Sequence, residues 1–394
     1  MKERQGLFSR YSDKPIIFAA LFLVIYGSFM IMSASMPYAT GSTSIIISTL
    51  ISQSVFAVIA LIAFAFLARF PLLPIRRELY WMAYYVLLFL LLFCRVFSPV
   101  GGAYAWIRLG PISVQPSEFA KIFMILFGAR ILSADQGARN LENLKSFAIA
   151  AMVYILIIIG IQKDLGSAVV LFVICYCIVL IPPHKQYRVI QRVMVLLVFV
   201  AIAGVIFLLS PVGTEILRKL SSGSYKIARF LASANPFLYL YDDGYHLVMS
   251  LVSFATGGLF GLGYGNSIHK YMNFPSPTTD FILPVIVEEL GLVFGLIPVL
   301  AGYFCILFPL RRYSLLSKRT ASKMVLLGVY MYYMVHFFFN VGGVSGLIPL
   351  TGVPLLLLSS GGSSLLAAMM SLGIAEAEII RYRKENDENH RGKV

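Results

Sequence analysis

Charge is what this chain has least of. Lysine, arginine, aspartate and glutamate make up 13% of its 394 residues, about half the roughly 25% of a soluble domain. A soluble globular protein is excluded on that ground. Only four cysteines occur, Cys94, Cys175, Cys177 and Cys305, all inside apolar runs and none at zinc-finger or redox spacing. They read as small core residues, so a metal ribbon and a dithiol site drop out. The glycine cluster Gly257–Gly265 lacks the Gly-Lys-Ser/Thr ending of a nucleotide phosphate loop. His246 and His269 have no partner at ligand spacing, so they offer no metal site.

Apolar runs are what is there. Stretches near 15–36, 45–67, 79–97, 116–132, 146–161, 165–183, 191–211, 281–309, 323–341 and 363–380 approach the roughly 20 residues a bilayer demands. They predict an all-α polytopic membrane protein of about ten transmembrane helices. Ser33-Ala34-Ser35 has the small residues of a signal-peptidase site, and the first run is expected to stay as an anchor. Aromatics at 14% suit interfacial belts and packed helices.

Most of the 32 basic residues fall, by parity, on one side: Lys2, Arg4, Arg10 and Lys14, then Arg69, Arg76 and Arg77, then Arg130, Arg139 and Lys145. Lys185, Arg188 and Arg192 follow, then the group from Arg311 to Lys323 and the group from Arg381 to Lys393. The positive-inside rule then places both termini in the cytoplasm. Topology absorbs nearly all of the net charge of +14, and nucleic acid is not an expected partner. A single integral-membrane domain spans 1–394, with a cytoplasmic N-terminus at 1–14. An extracytoplasmic loop at 212–280 precedes the eighth helix, and a charged, loose tail covers 381–394. Within the loop, 245–260 suggests an amphipathic helix lying in the interface.

Pro275–Gly291 sets Asp280, Glu288 and Glu289 at the mouth of an apolar run. A carboxylate at a membrane-helix centre costs roughly 2.5–3.5 kcal/mol on insertion scales, so it marks a candidate site. Four polar stretches share the outer side by parity: Gly101–Glu118, Gln162–Gly166, Gly257–Asp280 and Asn340–Ser364. They are either solvated loops or irregular backbone around a protein-lined cavity. Glu118 and Lys121, three apart, share a helix face. They form either an ion pair against the helix start or a phosphate-holding lysine oriented by its glutamate. Asp164, beside Lys163, allows the same two readings. Trp106 reads as an interfacial anchor ahead of a stacking platform. The glycine cluster has the composition of an anion-binding nest, with Lys270 and Arg229 as cations for a pyrophosphate. The Gly, Pro and Ser density of Asn340–Ser364 predicts a broken or re-entrant segment.

These residues carry a resemblance. Asn340, then Gly346-Leu-Ile-Pro349-Leu-Thr-Gly352, then Ser359-Ser-Gly361-Gly362-Ser363 resembles the signature of SEDS proteins, the FtsW/RodA group of bacterial cell-wall polymerases. Trp106-Ile-Arg108 through Glu118-Phe-Ala-Lys121, Gln162-Lys-Asp164-Leu-Gly, and Thr279-Asp280-Phe-Ile with Glu288-Glu289-Leu-Gly resemble three further blocks. The wording of the last signature is slightly closer to the FtsW division branch. The resemblance implies ten transmembrane helices and polymerisation of lipid II into glycan strands outside the membrane, with a class B penicillin-binding protein as partner. It gives Asp280 the place of the family's essential aspartate. Glu118, Lys121 and Asp164 take the places of other functional polar residues, and Ser359, Gly361 and Gly362 belong to the expected substrate site.

Departures stand beside these matches. Ala105 replaces an arginine usual before the tryptophan, Lys163 replaces a proline, and Ser276-Pro277-Thr278-Thr279 replaces Glu-Ala-His-Thr. Arg108 and Lys163 are candidates to compensate for the missing arginine. A single inverting displacement of polyprenyl pyrophosphate needs one carboxylate base, expected to be Asp280, and nearby cations. A divalent cation, Mg2+ or Mn2+, is compatible with the pyrophosphate, although no dense ligand cluster demands one. The rivals are a flippase for the same lipid-linked precursor and a scaffold that recruits the penicillin-binding partner. A transporter places its polar site near the midplane.

Overall fold

An apolar chain has to close its backbone hydrogen bonds internally, and helices do so residue by residue. The computed structural model describes residues 10–38, 44–110, 112–137, 139–220, 235–239, 244–272, 274 and 276–391. Its elements are α1 (Lys14–Ser35), α2 (Ser44–Leu67), α3 (Arg77–Phe93), the antiparallel hairpin β1 (Ile107–Leu109) and β2 (Ile112–Val114), α4 (Pro116–Leu132), α5 (Arg139–Gly160) and α6 (Leu165–Val179). There follow α7 (Arg188–Leu209), α8 (Pro211–Leu220), α9 (Tyr245–Gly257), α10 (Ile282–Gly291), α11 (Ile297–Leu316), α12 (Thr320–Val344) and α13 (Gly362–Arg391).

Eight helical segments among the described residues are long and apolar enough to cross a membrane, against the ten expected. The difference lies in α4 and α6, of 17 and 15 residues. At ~1.5 Å per residue they fall short of a hydrocarbon core of about 30 Å. Protein surrounds α4, which packs on α3, α5, α6 and α12, so its length is not set by lipid. By contrast no residue in the apolar window of α7 is buried. Gln191 ties its base to the Val179 and Pro182 carbonyls at 3.0 and 2.9 Å, and Tyr176 donates to the Met194 carbonyl.

The run expected over 281–309 is broken rather than continuous. Gly291, at φ 72° and ψ −168°, ends α10 in backbone geometry that is essentially glycine's alone, and a π turn, Leu292–Leu296, leads into α11. The break frees the Glu288 and Glu289 carbonyls, which accept from Leu262 and Gly263 N–H at 3.0 and 2.8 Å. In return Leu292 and Val293 N–H donate to Gly258 and Leu259, both at 3.0 Å. The glycine loop thus supplies the partners that the interrupted helix loses. A Cβ on Gly291 would lie 2.4 Å from the Leu259 carbonyl oxygen.

Two expectations about the ends of elements change. The helix α9 is packed, on α10 and α12: it buries Leu247 and Val248, and Ser250 donates to the Val344 carbonyl at 2.7 Å. The tail is helical to Arg391. Arg383 donates to the Asp13 carboxylate at 2.6 Å, to the Ser12 carbonyl at 2.5 Å and to the Tyr313 hydroxyl. The start of α1 and the end of α13 are therefore clasped together. Cys94 and Cys175 are buried as expected of core residues, whereas Cys305 is exposed on the flank of α11.

Candidate functional site

The four polar stretches touch one another. Tyr104 N–H donates to the Gln162 carbonyl at 2.7 Å, joining the approach to the hairpin to the turn before α6. Gln115 donates through Nε2 to Asp164 at 2.9 Å, and Asp164 caps α6 by accepting from Ser167 N–H at 3.0 Å. Gly166 lies so close to the 340–364 stretch that a Cβ there would sit 2.7 Å from the Thr351 carbonyl oxygen. That stretch in turn grips the residues before α10. Ser359 Oγ donates to the Thr279 carbonyl at 2.7 Å, Ser360 N–H to Thr278 at 2.7 Å, and Asn340 Nδ2 to the Asp280 carbonyl at 2.8 Å. The reading of these stretches as separate solvated loops gives way to a joined assembly.

Asp280 sits half-buried two residues ahead of α10. Gly352, at φ 68°, passes beside it, and a Cβ there would sit 3.4 Å from Asp280 Oδ2. The backbone around the carboxylate is fixed from both sides, because Asn340 also donates to the Val353 carbonyl at 2.9 Å. Two side-chain atoms in this region, Asn340 Oδ1 and Thr351 Oγ1, are buried and find no hydrogen-bond partner among the described residues.

Below lies a buried polar column. Lys121 and Glu118 form the ion pair, at 2.7 Å and almost wholly buried. Lys121 also donates to His336 Nε2 at 3.4 Å, while His336 Nδ1–H donates to the Pro354 carbonyl at 3.2 Å. That pairing assigns the proton of a neutral ring to Nδ1. Tyr332 OH donates to the second Glu118 oxygen at 3.2 Å. Tyr332, His336 and Asn340 recur every fourth residue, so one stripe of α12 serves Glu118, Lys121 and the Asp280 segment in turn. Neither His336 nor Tyr332 was singled out from the sequence. The signal was there in the four-residue spacing of polar groups within an apolar run.

Other expected residues lie elsewhere. Lys270 does not face this assembly: its ammonium is buried against Glu289 at 2.7 Å and Ser33 Oγ at 2.9 Å. The expected anion nest is filled by the chain itself, since Gly265 N–H donates to Glu289 at 3.0 Å and the Leu262 and Gly263 N–H groups are spent on α10. Glu288 takes Ser267 Oγ at 2.5 Å, Ile268 N–H at 3.1 Å and His269 Nδ1 at 2.6 Å. Both glutamates thus fold the 262–272 segment. Burial and the Glu289 carboxylate push the Tyr264 phenol up to about 12, so it stays a donor to the Phe29 carbonyl at 2.7 Å.

Arg229 lies outside the described residues. Arg108 is exposed on β1 opposite Ser113, and Trp106 is half-buried just before that strand. Gly361 immediately precedes α13, its carbonyl accepting from Leu365 N–H at 2.9 Å. Gly362 is a packing glycine: a Cβ there would be 2.4 Å from the Phe56 ring of α2. The site therefore gathers Asp280, Asp164 and Ser359, with Glu118 and Lys121 beneath. Among the described residues no group of three or more His, Cys, Asp or Glu side chains converges on a metal position.

The chain is similar to known proteins along most of its length. It is 32% identical over 375 residues to a probable peptidoglycan glycosyltransferase FtsW of Bacillus subtilis, covering 92% of this chain and 89% of that one. Stage V sporulation protein E of Bacillus subtilis is 30% identical, with 94% and 98% covered. Among solved structures, a chain of a peptidoglycan synthase complex described as coordinating polymerization and crosslinking superposes with a TM-score of 0.70 at 24% identity, over 95% of this chain and 98% of that one. The crystal structure of Thermus thermophilus rod shape determining protein RodA gives 0.58 at 24% identity, over 94% and 97%. At such identities the structures speak for the fold, a polytopic all-α membrane protein. With the family's model matched over residues 14–385, the chain belongs to the FtsW/RodA/SpoVE family of cell cycle proteins.

Proposed function

We propose that this protein is a peptidoglycan glycosyltransferase that polymerises lipid II on the outer face of the bacterial cytoplasmic membrane. The names of its FtsW relatives support the activity. The observation that carries the site is the clamp on Asp280, whose backbone is held by Asn340 and whose preceding residues are held by Ser359 and Ser360. A half-buried carboxylate carried on a fixed backbone among irregular loops suits proton abstraction from a sugar hydroxyl.

In this reading Asp280 takes the proton of the acceptor hydroxyl as that oxygen attacks the donor's anomeric carbon. The C1–O bond breaks, and its electron pair leaves with the polyprenyl diphosphate. One displacement inverts the centre and lengthens the glycan. Asp164 and its Gln115 partner border the same assembly, and the Glu118–Lys121 pair supports its floor through His336 and Pro354. Among the described residues no group of three or more His, Cys, Asp or Glu forms a dedicated metal cage. A class B penicillin-binding protein is the partner that fits, in line with the coupling of polymerization and crosslinking described for the related complex. Convergence of all four irregular stretches in one assembly favours this chemistry over a flippase with access from both sides.

Purified full-length protein, with and without a class B partner, incubated with lipid II in vesicles tests the reading. Glycan strands and released polyprenyl diphosphate are expected. Transbilayer movement of lipid II without polymer would assign the flippase function instead.

A further inference from the structure

The residue between Tyr104 and Trp106 is Ala105, fully buried, with its carbonyl against Cys94 Sγ at 3.5 Å. It presents no cation, yet two cations arrive at this point from other elements. The Arg95 guanidinium, on the short turn after α3, lies 3.9 Å from the Tyr104 ring centroid. The Lys163 ammonium, on the turn before α6, lies 6.0 Å from the same centroid. Lys163 holds φ 58°, a left-handed geometry that side-chain-bearing residues seldom take. Its neighbours enforce that turn: Gln162 accepts from Tyr104 N–H at 2.7 Å and donates to the Leu91 carbonyl at 2.8 Å, and Asp164 N–H donates to Ile158 at 3.0 Å.

Like charges on one ring repel, and an exposed cation–aromatic contact offsets that only weakly. A carboxylate between them would be the ordinary remedy. None of the described residues supplies one: no ion pair forms at Arg95 or Lys163. Asp164, next in sequence, is engaged with Ser167 and Gln115. Both cations are exposed. A guanidinium stacked on a ring uses its face and keeps its N–H edge free for bidentate phosphate contact. The pair also adjoins the site, since the turn bearing Lys163 continues into Asp164 and Gly166, which abuts Thr351 beside Gly352 and Asp280.

We propose that Arg95 and Lys163, gathered on Tyr104, form the diphosphate subsite for the polyprenyl-linked donor. The assignment rests on the polymerase reading for its substrate and locates the positive charge that the leaving group needs. The chemistry it recognises is a phosphate at the lipid–water boundary, and the donor is its source ahead of bulk anionic lipid.

The test uses full-length protein in nanodiscs of phosphatidylcholine, titrated with a polyprenyl diphosphate. Wild type is compared with R95Q, K163Q, the double variant and the charge-keeping R95K/K163R. Each single loss is expected to weaken binding about tenfold, about 1.4 kcal/mol, and the double variant more, with thermal midpoints unchanged. The charge-keeping pair should recover most of the affinity. In polymerisation assays kcat/KM for lipid II should fall at least as far as the diphosphate affinity, with kcat itself lowered because the departing diphosphate loses its counter-charge. Equal diphosphate affinity in wild type and the double variant would overturn the subsite. So would an effect seen only when phosphatidylglycerol replaces the neutral lipid, which would make the pair a headgroup contact. Wild type that binds the diphosphate through these residues but makes no polymer would leave the subsite standing and remove the polymerase reading.

Discussion

At the scale of single residues, burial decides what a charge is for. Lys270 and Glu289 are both fully buried and 2.7 Å apart, so neither is available to a substrate. Removing one partner strands the other, which costs about 3–5 kcal/mol, whereas replacing both with apolar groups is far milder. Lys270→Met is thus expected to lower the thermal midpoint sharply and Lys270→Met/Glu289→Met to restore much of it, in unfolding scans of purified protein. A phosphate-holding lysine would instead raise KM and leave the midpoint alone. The sequence placed Lys270 near a pyrophosphate because spacing along the chain shows which charges exist and not which pair. Ser33 and Glu289 are separated by 256 positions, and no local pattern announces such a contact. Asp280 was legible for the opposite reason: prolines before it and an apolar run after it set it at a helix start.

At the scale of elements, the interrupted helix α10–α11 explains the glycine-rich loop that precedes it. The loop trades four backbone hydrogen bonds with the break, and Gly291 makes the trade sterically feasible. Gly291→Ala is expected to cost at least about 1–3 kcal/mol from backbone strain, with further loss from the clash with Leu259. Hydrogen exchange should then show the Leu262, Gly263, Leu292 and Val293 amides losing protection, while α4 and α12 keep theirs. Unchanged protection would contradict the exchange of partners. Hydrophobic runs gave most helices their places, but the kink did not show, because an apolar run reads the same straight or broken. The runs of α4 and α6 form helices where the sequence expects them, but of only 17 and 15 residues. A helix walled by others answers to its neighbours rather than to lipid.

At the scale of the whole molecule, the account depends on which side of the membrane the joined loops face. Basic residues cluster at the opposite ends of the helices, which predicts that side as extracytoplasmic. In a background with the four native cysteines replaced by serine, Lys163→Cys should react with a membrane-impermeant maleimide in intact cells. Lys185→Cys should react only after permeabilisation. The reverse pattern would invert the topology and end the proposed chemistry. The clasp of Asp13 by Arg383 ties the chain's two described ends on the basic side. On the same logic Arg383→Gln should loosen α13 from α1 without altering the loops that hold Asp280.

The most direct measurement is the rate of lipid II polymerisation by Asp280→Asn beside wild type, each purified with the partner protein and matched for thermal midpoint. The account predicts a fall of about 10²–10⁴-fold, the contribution of a positioned general base, with the fold intact because Asn340 and Ser359 hold the backbone and not the carboxylate. Polymerisation by Asp280→Asn at the wild-type rate would contradict it.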